Sequence, residues 1–161
     1  MAHDEQERFI TDEEGKELAR WFYSQYGWVV TATTDTFNHL DGKFTNSNGD
    51  IIGLEVKNMG TNRYEKYDDI LIAKDKYDYA SNEAKILSGL TDSVKFDYVN
   101  LGHSTIVFIT RFSAADGLEP IKRLMPTENT PNAAKKEQLM YEVPRSKAKK
   151  YKITDGIIER I

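Results

Sequence analysis

Cysteine is absent from the 161 residues, which excludes disulfides, thiolate zinc sites and cysteine nucleophiles together. The three histidines, His3, His39 and His103, have no zinc-ligand spacing. No apolar run approaches the roughly 20 residues that a membrane helix requires. The opening residues, Met1 to Glu7, are acidic rather than basic and then apolar, so neither membrane insertion nor secretion is expected. A reducing, cytoplasmic setting fits the missing cysteine. Four prolines and ten glycines form no long tract, which sets aside fibrous and low-complexity classes. A Ser-His-Asp set, a glycine-rich phosphate loop and a dinucleotide fingerprint are all missing.

What remains is enough to fold. With 39% hydrophobic, 11% aromatic and 30% charged residues, a chain of this length is expected to form one domain around one core. Its net charge of −4 argues against a protein that coats nucleic acid over its whole surface. The charge is unevenly placed, however. Asp4, Glu5, Glu7, Asp12, Glu13, Glu14 and Glu17 make the beginning acidic, whereas Lys135, Lys136, Arg145, Lys147, Lys149, Lys150 and Lys152 make the end basic. Such a basic part serves equally as a one-sided phosphate-binding surface or as a solvated face.

Thr11 or Asp12 is placed to cap a helix whose apolar stripe is Leu18, Trp21 and Phe22 and which Gly27 stops. Trp28 to Thr34 is rich in β-branched residues and is read as a strand. His39 to Phe44 and Ile51 to Lys57 are read as the arms of a hairpin, because Thr45-Asn46-Ser47-Asn48-Gly49-Asp50 between them is turn chemistry. Ile70 to Ile72 begins extended, and Tyr77, Ala80, Ala84 and Leu87 then recur at helical spacing. Phe96 to Asn100 and Thr105 to Thr110 are two more strands. Beyond Phe112, Gly117, Pro120, Pro126 and Pro131 predict an irregular excursion to Gln138. A late strand is expected from Leu139 to Val143, and a short basic helical turn from Ser146 to Tyr151.

The hairpin carries the chemistry. Alternation along its return arm sends Leu54 and Val56 to one face and Glu55 and Lys57 to the other, while Ile51, Ile52 and Val56 predict a strand covered on both sides. A carboxylate and an ammonium in partly buried space need a partner or a metal. Folding about Asn46 to Gly49 brings Asp41 across from Glu55. Two carboxylates, with the Val56 backbone carbonyl as a natural third donor, suit magnesium, which keeps several waters and takes phosphate oxygens. Lys57 would position or deprotonate the attacking water, or stabilise the developing charge. The bland alternatives are a same-face Glu55/Lys57 pair on an exposed strand and ordinary Asp41-Gly42 turn chemistry.

Asp41 followed by Glu55-Val56-Lys57 on the far arm of a hairpin resembles the D-x(n)-E-x-K core of the PD-(D/E)XK nuclease superfamily. The resemblance covers Thr11 to Phe112, where the order of elements follows that superfamily's αβββαβ core. It implies an α/β fold, restriction-endonuclease-like, with a central mixed sheet flanked by helices. The nuclease-like domain would span residues 1–161, its core about residues 11–112, with an irregular, partly basic extension over 113–161. The activity implied is Mg2+- or Mn2+-dependent hydrolysis of phosphodiesters, in DNA more often than RNA. By the same resemblance Asp41 and Glu55 match the two metal-binding acids and Lys57 the catalytic lysine. Glu17 on the first helix matches the glutamate that joins the metal in Holliday-junction-resolvase-like members, with Glu13 and Glu14 as rivals. Lys74 and Lys76, at the start of the second helix, stand where members touch substrate phosphate; a solvated helix start is the competing reading. Leu40 replaces the motif's proline, and no Gln-x-x-x-Tyr follows Lys57. A nuclease core of 18.5 kDa has little surface for choosing a target, so a homodimer or a larger complex is a further expectation. The rival class is a catalytically idle nucleic-acid- or protein-binding module on the same fold.

Overall fold

The computed structural model describes residues 12–31, 40–58, 69–87, 95–102, 106–113, 116–126, 132 and 134–161. The expected first helix is present as α1, Asp12–Ser24. It buries Ala19, Phe22 and Tyr23, and the chain leaves it through Gly27 at φ +82°. The strand expected next does not form over its described part. Trp28 to Val30 lie outside any ladder, and Thr31 makes an isolated bridge to Lys43. Residues 32–34 of that strand, together with His39, fall outside the described residues.

The hairpin is β1, Gly42–Thr45, and β2, Ile51–Asn58, paired antiparallel from Gly42 opposite Leu54 to Thr45 opposite Ile51. Its turn is closed by the Asn46 side chain, whose Oδ1 accepts the backbone N–H groups of Asn48 at 3.0 Å and Asp50 at 2.9 Å. Gly49 supplies the positive φ of 84° that a side chain would resist.

After β3, Asp69–Ala73, comes α2, Lys74–Leu87. Strands β4, Lys95–Gly102, and β5, Ile106–Ser113, follow. The excursion expected after Phe112 holds more regular structure than its composition implies. It contains β6, Ile121–Pro126, and β7, Lys135–Pro144, the latter several residues longer than the expected late strand. The basic helical turn is confined to one 3-10 turn at Arg145–Lys147. The chain then extends as β8, Lys149–Thr154, and turns into β9, Ile157–Arg160.

The fold is mixed α/β. Six strands form one sheet in the order β1-β2-β4-β5-β8-β9, and β3-β7-β6 form a second. Within the larger sheet β2 and β4 are parallel, with Glu55 opposite Tyr98 and Lys57 opposite Asn100, and every other pair is antiparallel. A parallel pair requires a crossover, and α2 lies in it. Each face of the large sheet is covered. On one, Ile52, Leu54, Val99, Leu101, Val107 and Ile109 pack with Phe22 and Tyr23 of α1. On the other, Phe96, Tyr98, Phe108 and Phe112 pack with Ala80 and Ala84 of α2 and with Ile70, Ile72, Tyr141 and Val143 of the second sheet. Residues from beyond 112 therefore complete the same core. Among the described residues no helix is long and apolar enough to cross a membrane.

Candidate active site

Alternation along β2 places Glu55 and Lys57 on the α2 side, beside Tyr98 and Asn100 of β4, and Leu54 and Val56 on the α1 side. Glu55 is buried at 5% exposure, whereas Lys57, two residues nearer the strand end, is exposed. The covered strand expected from the flanking apolar residues is thus realised at Glu55 and gives way to solvent by Lys57.

Asp41 precedes β1 and is tied to β2 twice. Its N–H donates to the Leu54 carbonyl at 2.7 Å, and its Oδ2 accepts the Val56 N–H at 2.7 Å. Both β2 groups point to the same edge, so the Val56 carbonyl, on the same side of the strand as its own N–H, is directed there as well. Two further devices hold Asp41 in place. The Leu40 N–H donates to Glu83 Oε2 of α2 at 3.0 Å, and Leu40 packs so closely on Gly53 that a Cβ there would lie 2.8 Å from Leu40 Cδ1. Gly53 is thus the residue that lets Asp41 approach the return arm.

Charge around the two carboxylates is balanced by both helices. Lys76 of α2 donates to Glu55 Oε1 at 2.7 Å, and Lys16 of α1 places Nζ 3.5 Å from Asp41 Oδ1. Burial nevertheless lifts the Glu55 carboxyl from its ordinary 4.5 to about 7; Lys76 opposes the rise, Asp41 adds to it and Lys57 opposes it. A carboxylate that resists ionisation in this way is relieved by added positive charge.

Glu17 is exposed, and the α1 residue that reaches Asp41 is its neighbour Lys16. Lys74 pairs with Asp78 one turn along α2, a solvated helix-face arrangement. Lys76 is instead the partner of Glu55. Sequence reasoning missed Lys16, Glu83 and the inward use of Lys76. The acid-rich start of α1 directed attention to its glutamates, and no spacing in the chain announces an ion pair between residues 55 and 76.

A divalent cation could be held by Asp41 Oδ1, which faces Lys16, together with Glu55 Oε2 and the Val56 carbonyl, because the other two carboxylate oxygens are engaged by Val56 N–H and Lys76. Three hard oxygens suit Mg2+ or Mn2+, whose remaining positions are ordinarily filled by water and phosphate. Among the described residues no group of three or more histidine, cysteine or acidic side chains is gathered, so a cation here would have to rest on two carboxylates and one carbonyl.

On the opposite face lies a second buried carboxylate that sequence reasoning also overlooked. Asp97 is 1% exposed; it accepts Arg111 Nε at 2.7 Å, Arg111 Nη2 at 3.0 Å and Tyr23 Oη at 2.8 Å. Burial, followed by the Asp97 charge and its hydrogen bond, holds the Tyr23 phenol well above its usual range. With every oxygen engaged, this network reads as a clasp between α1, β4 and β5. A cavity of about 190 Å³ opens beside it, lined by Asp97, Thr110, Arg111, Lys147 and Lys149 among others.

In comparisons with known proteins, no family model, no curated protein and no solved structure matches the chain.

Proposed function

We propose that the chain is a metal-dependent nuclease with a restriction-endonuclease-like core, and that Asp41, Glu55 and Lys57 form its phosphodiester-cleaving centre. The observation that carries this reading is that Asp41 accepts the Val56 N–H, one residue from buried Glu55, whose carboxyl feels the Asp41 charge, while Lys57 lies on the face of Glu55 at the strand's exposed end. The parallel pairing of β2 with β4, reached through α2, supports the superfamily reading.

Asp41, Glu55 and the Val56 carbonyl would hold Mg2+ or Mn2+, and the bound ion would supply Lewis-acid polarisation of the phosphate and a more acidic water. Glu55 would have to lose its proton before Oε2 could serve as a ligand, and Lys76 could remain on Oε1. Lys57, reaching solvent, orients its ammonium toward the phosphate and stabilises the negative charge that develops there. The Val56 N–H fixes the rotamer of Asp41, so the acid is held before substrate arrives. DNA is the proposed polymer, with a homodimer or larger complex supplying the rest of the binding surface.

The Lys76–Glu55 ion pair is the observation favouring the second reading, a catalytically idle binding module, because it satisfies the buried acid without a metal. A cleavage assay on linear, nicked and branched DNA and on RNA, with Mg2+ or Mn2+, separates the two. Metal-dependent cutting lost in Glu55→Ala and Lys57→Ala supports the nuclease. No cutting by the wild type, or equal cutting by all three proteins, overturns it in favour of the module.

A further inference from the structure

The side chain of Asn100 is 0% exposed, yet neither its Oδ1 nor its Nδ2 finds a hydrogen-bond partner among the described residues. A carboxamide stripped of water without replacement bonds is unfavourable, and a buried polar group of this kind calls for an explanation. Its position supplies one. In the parallel register of β2 and β4 it stands opposite Lys57, so the two side chains project from the same face, roughly 5 Å apart at their roots. Glu55, two residue pairs back along the ladder, projects from that face too. On its other side Asn100 meets Phe108, which offers an apolar wall.

We propose that Asn100 is a positioning residue for Lys57: its Oδ1 accepts one of the three ammonium hydrogens when Lys57 closes on a substrate phosphate. This rests on the nuclease reading of Asp41, Glu55 and Lys57. The lysine side chain is long enough to fold back over its strand neighbour, and one bond to Oδ1 leaves two donors for phosphate oxygens. The rigid, buried amide thereby fixes a flexible, exposed ammonium, the role that supporting residues play for groups that touch substrate.

Thr110 provides the control. It too is buried, with its Oγ1 unpartnered among the described residues, and it projects from the same face. It stands opposite Tyr98 rather than in the ladder position of Lys57 and Asn100. If buried polar groups in this layer have only an internal packing or hydration role, Asn100→Leu and Thr110→Val will behave alike.

The test measures thermal stability together with single-turnover and steady-state cleavage for wild type, Asn100→Leu and Thr110→Val. In Asn100→Leu the melting temperature is expected to stay level or rise, because an unpaired amide gives way to a similarly sized apolar group. Its kcat is expected to fall roughly 10- to 100-fold, the usual cost of losing a supporting partner, with KM little changed. Thr110→Val is expected to keep the wild-type kcat. In 15N NMR, the Asn100 side-chain amide is expected to shift when Mg2+ and a short DNA duplex are added to wild type, and not to shift in Lys57→Met. Wild-type kcat in Asn100→Leu, an equal loss in Thr110→Val, or an amide shift that survives Lys57→Met overturns the inference while leaving the nuclease standing. A wild-type chain that cuts nothing overturns both.

Discussion

Lys76 Nζ lies 2.7 Å from Glu55 Oε1, so a cation from α2 already rests against the acid that the proposed chemistry needs. The pairing has two consequences. It lowers the cost of ionising a carboxylate that burial would otherwise keep protonated, and it places a competitor beside the proposed metal position. Removing it in Lys76→Met takes away an influence that lowers the Glu55 pKa. Carbon-13 NMR of the Glu55 side-chain carboxyl across pH is expected to show a midpoint above about 7 in the variant. A midpoint that is unchanged or lower would show that the ion pair does not act on Glu55.

Glu55 also sets a pH dependence of stability in metal-free protein. Its carboxyl titrates at about 7 when folded and at an ordinary 4.5 when exposed, so the folded chain holds the proton more tightly. The associated stability is fully present below about 4.5 and is lost as pH rises through 7, amounting to about 3 kcal/mol. Glu55→Gln, which resembles the protonated form, is expected to flatten this part of the curve and to be the more stable protein at pH 8. Denaturant unfolding in a chelator at several pH values measures it; parallel curves for the two proteins would contradict the assignment.

The position of Asp41 depends on the missing side chain at residue 53. A Cβ there would lie 2.8 Å from Leu40 Cδ1 and 3.3 Å from Phe96 Cβ. Gly53→Ala is therefore expected to destabilise by about 1–3 kcal/mol through overpacking. Because the displaced Leu40 carries Asp41 with it, Mn2+ affinity measured by calorimetry is expected to fall as well. Unchanged affinity would mean that Asp41 does not depend on this contact.

The clasp on the other face gives a prediction independent of any metal. Arg111→Met leaves Asp97, 1% exposed, with Tyr23 as its one remaining partner among the bonds described above. Because the Arg111 side chain is itself 41% exposed, solvent shares its charge, and a loss of about 1–3 kcal/mol in chemical denaturation is expected for leaving the buried acid without its charged donor. A loss below 1 kcal/mol would mean that solvent already screens the pair.

The parts of this molecule that were legible in its sequence are those whose signal is local. Asn46 and Gly49 write the hairpin turn into six residues, and period-two alternation alone puts Glu55 and Lys57 on one face. Helix α1 is visible in Leu18, Trp21 and Phe22, though its phase is not. One residue along a helix is a rotation of about 100°, enough to separate exposed Glu17 from Lys16 beside Asp41. Strand β6 and the first part of β7 were obscured because Ile121, Lys122, Arg123 and Leu124, like Lys135, Lys136 and Glu137, are all exposed, which erases the alternation of a half-buried strand; the rest of β7 was legible as the expected strand from Leu139 to Val143. The β8–β9 hairpin did carry a signal that went unread. Asp155 and Gly156 both have positive φ, 51° and 76°, and an Asp-Gly step between extended segments marks a tight two-residue turn. The Lys76–Glu55 and Glu83–Leu40 contacts join α2 to distant strands, and only the completed crossover brings them together.

One measurement separates the role proposed for Glu55, holding a metal, from that proposed for Lys57, acting on the phosphate. Single-turnover cleavage of a DNA substrate would be followed against Mn2+ concentration for wild type, Glu55→Gln and Lys57→Met. The account expects saturable, metal-dependent cutting by wild type, a half-saturation moved at least tenfold upward in Glu55→Gln, and in Lys57→Met an unchanged half-saturation with a maximal rate lowered at least a hundredfold, within the range of losing a single electrostatic donor. Cutting that persists in a chelator, or metal-response curves that coincide for the three proteins, would contradict it.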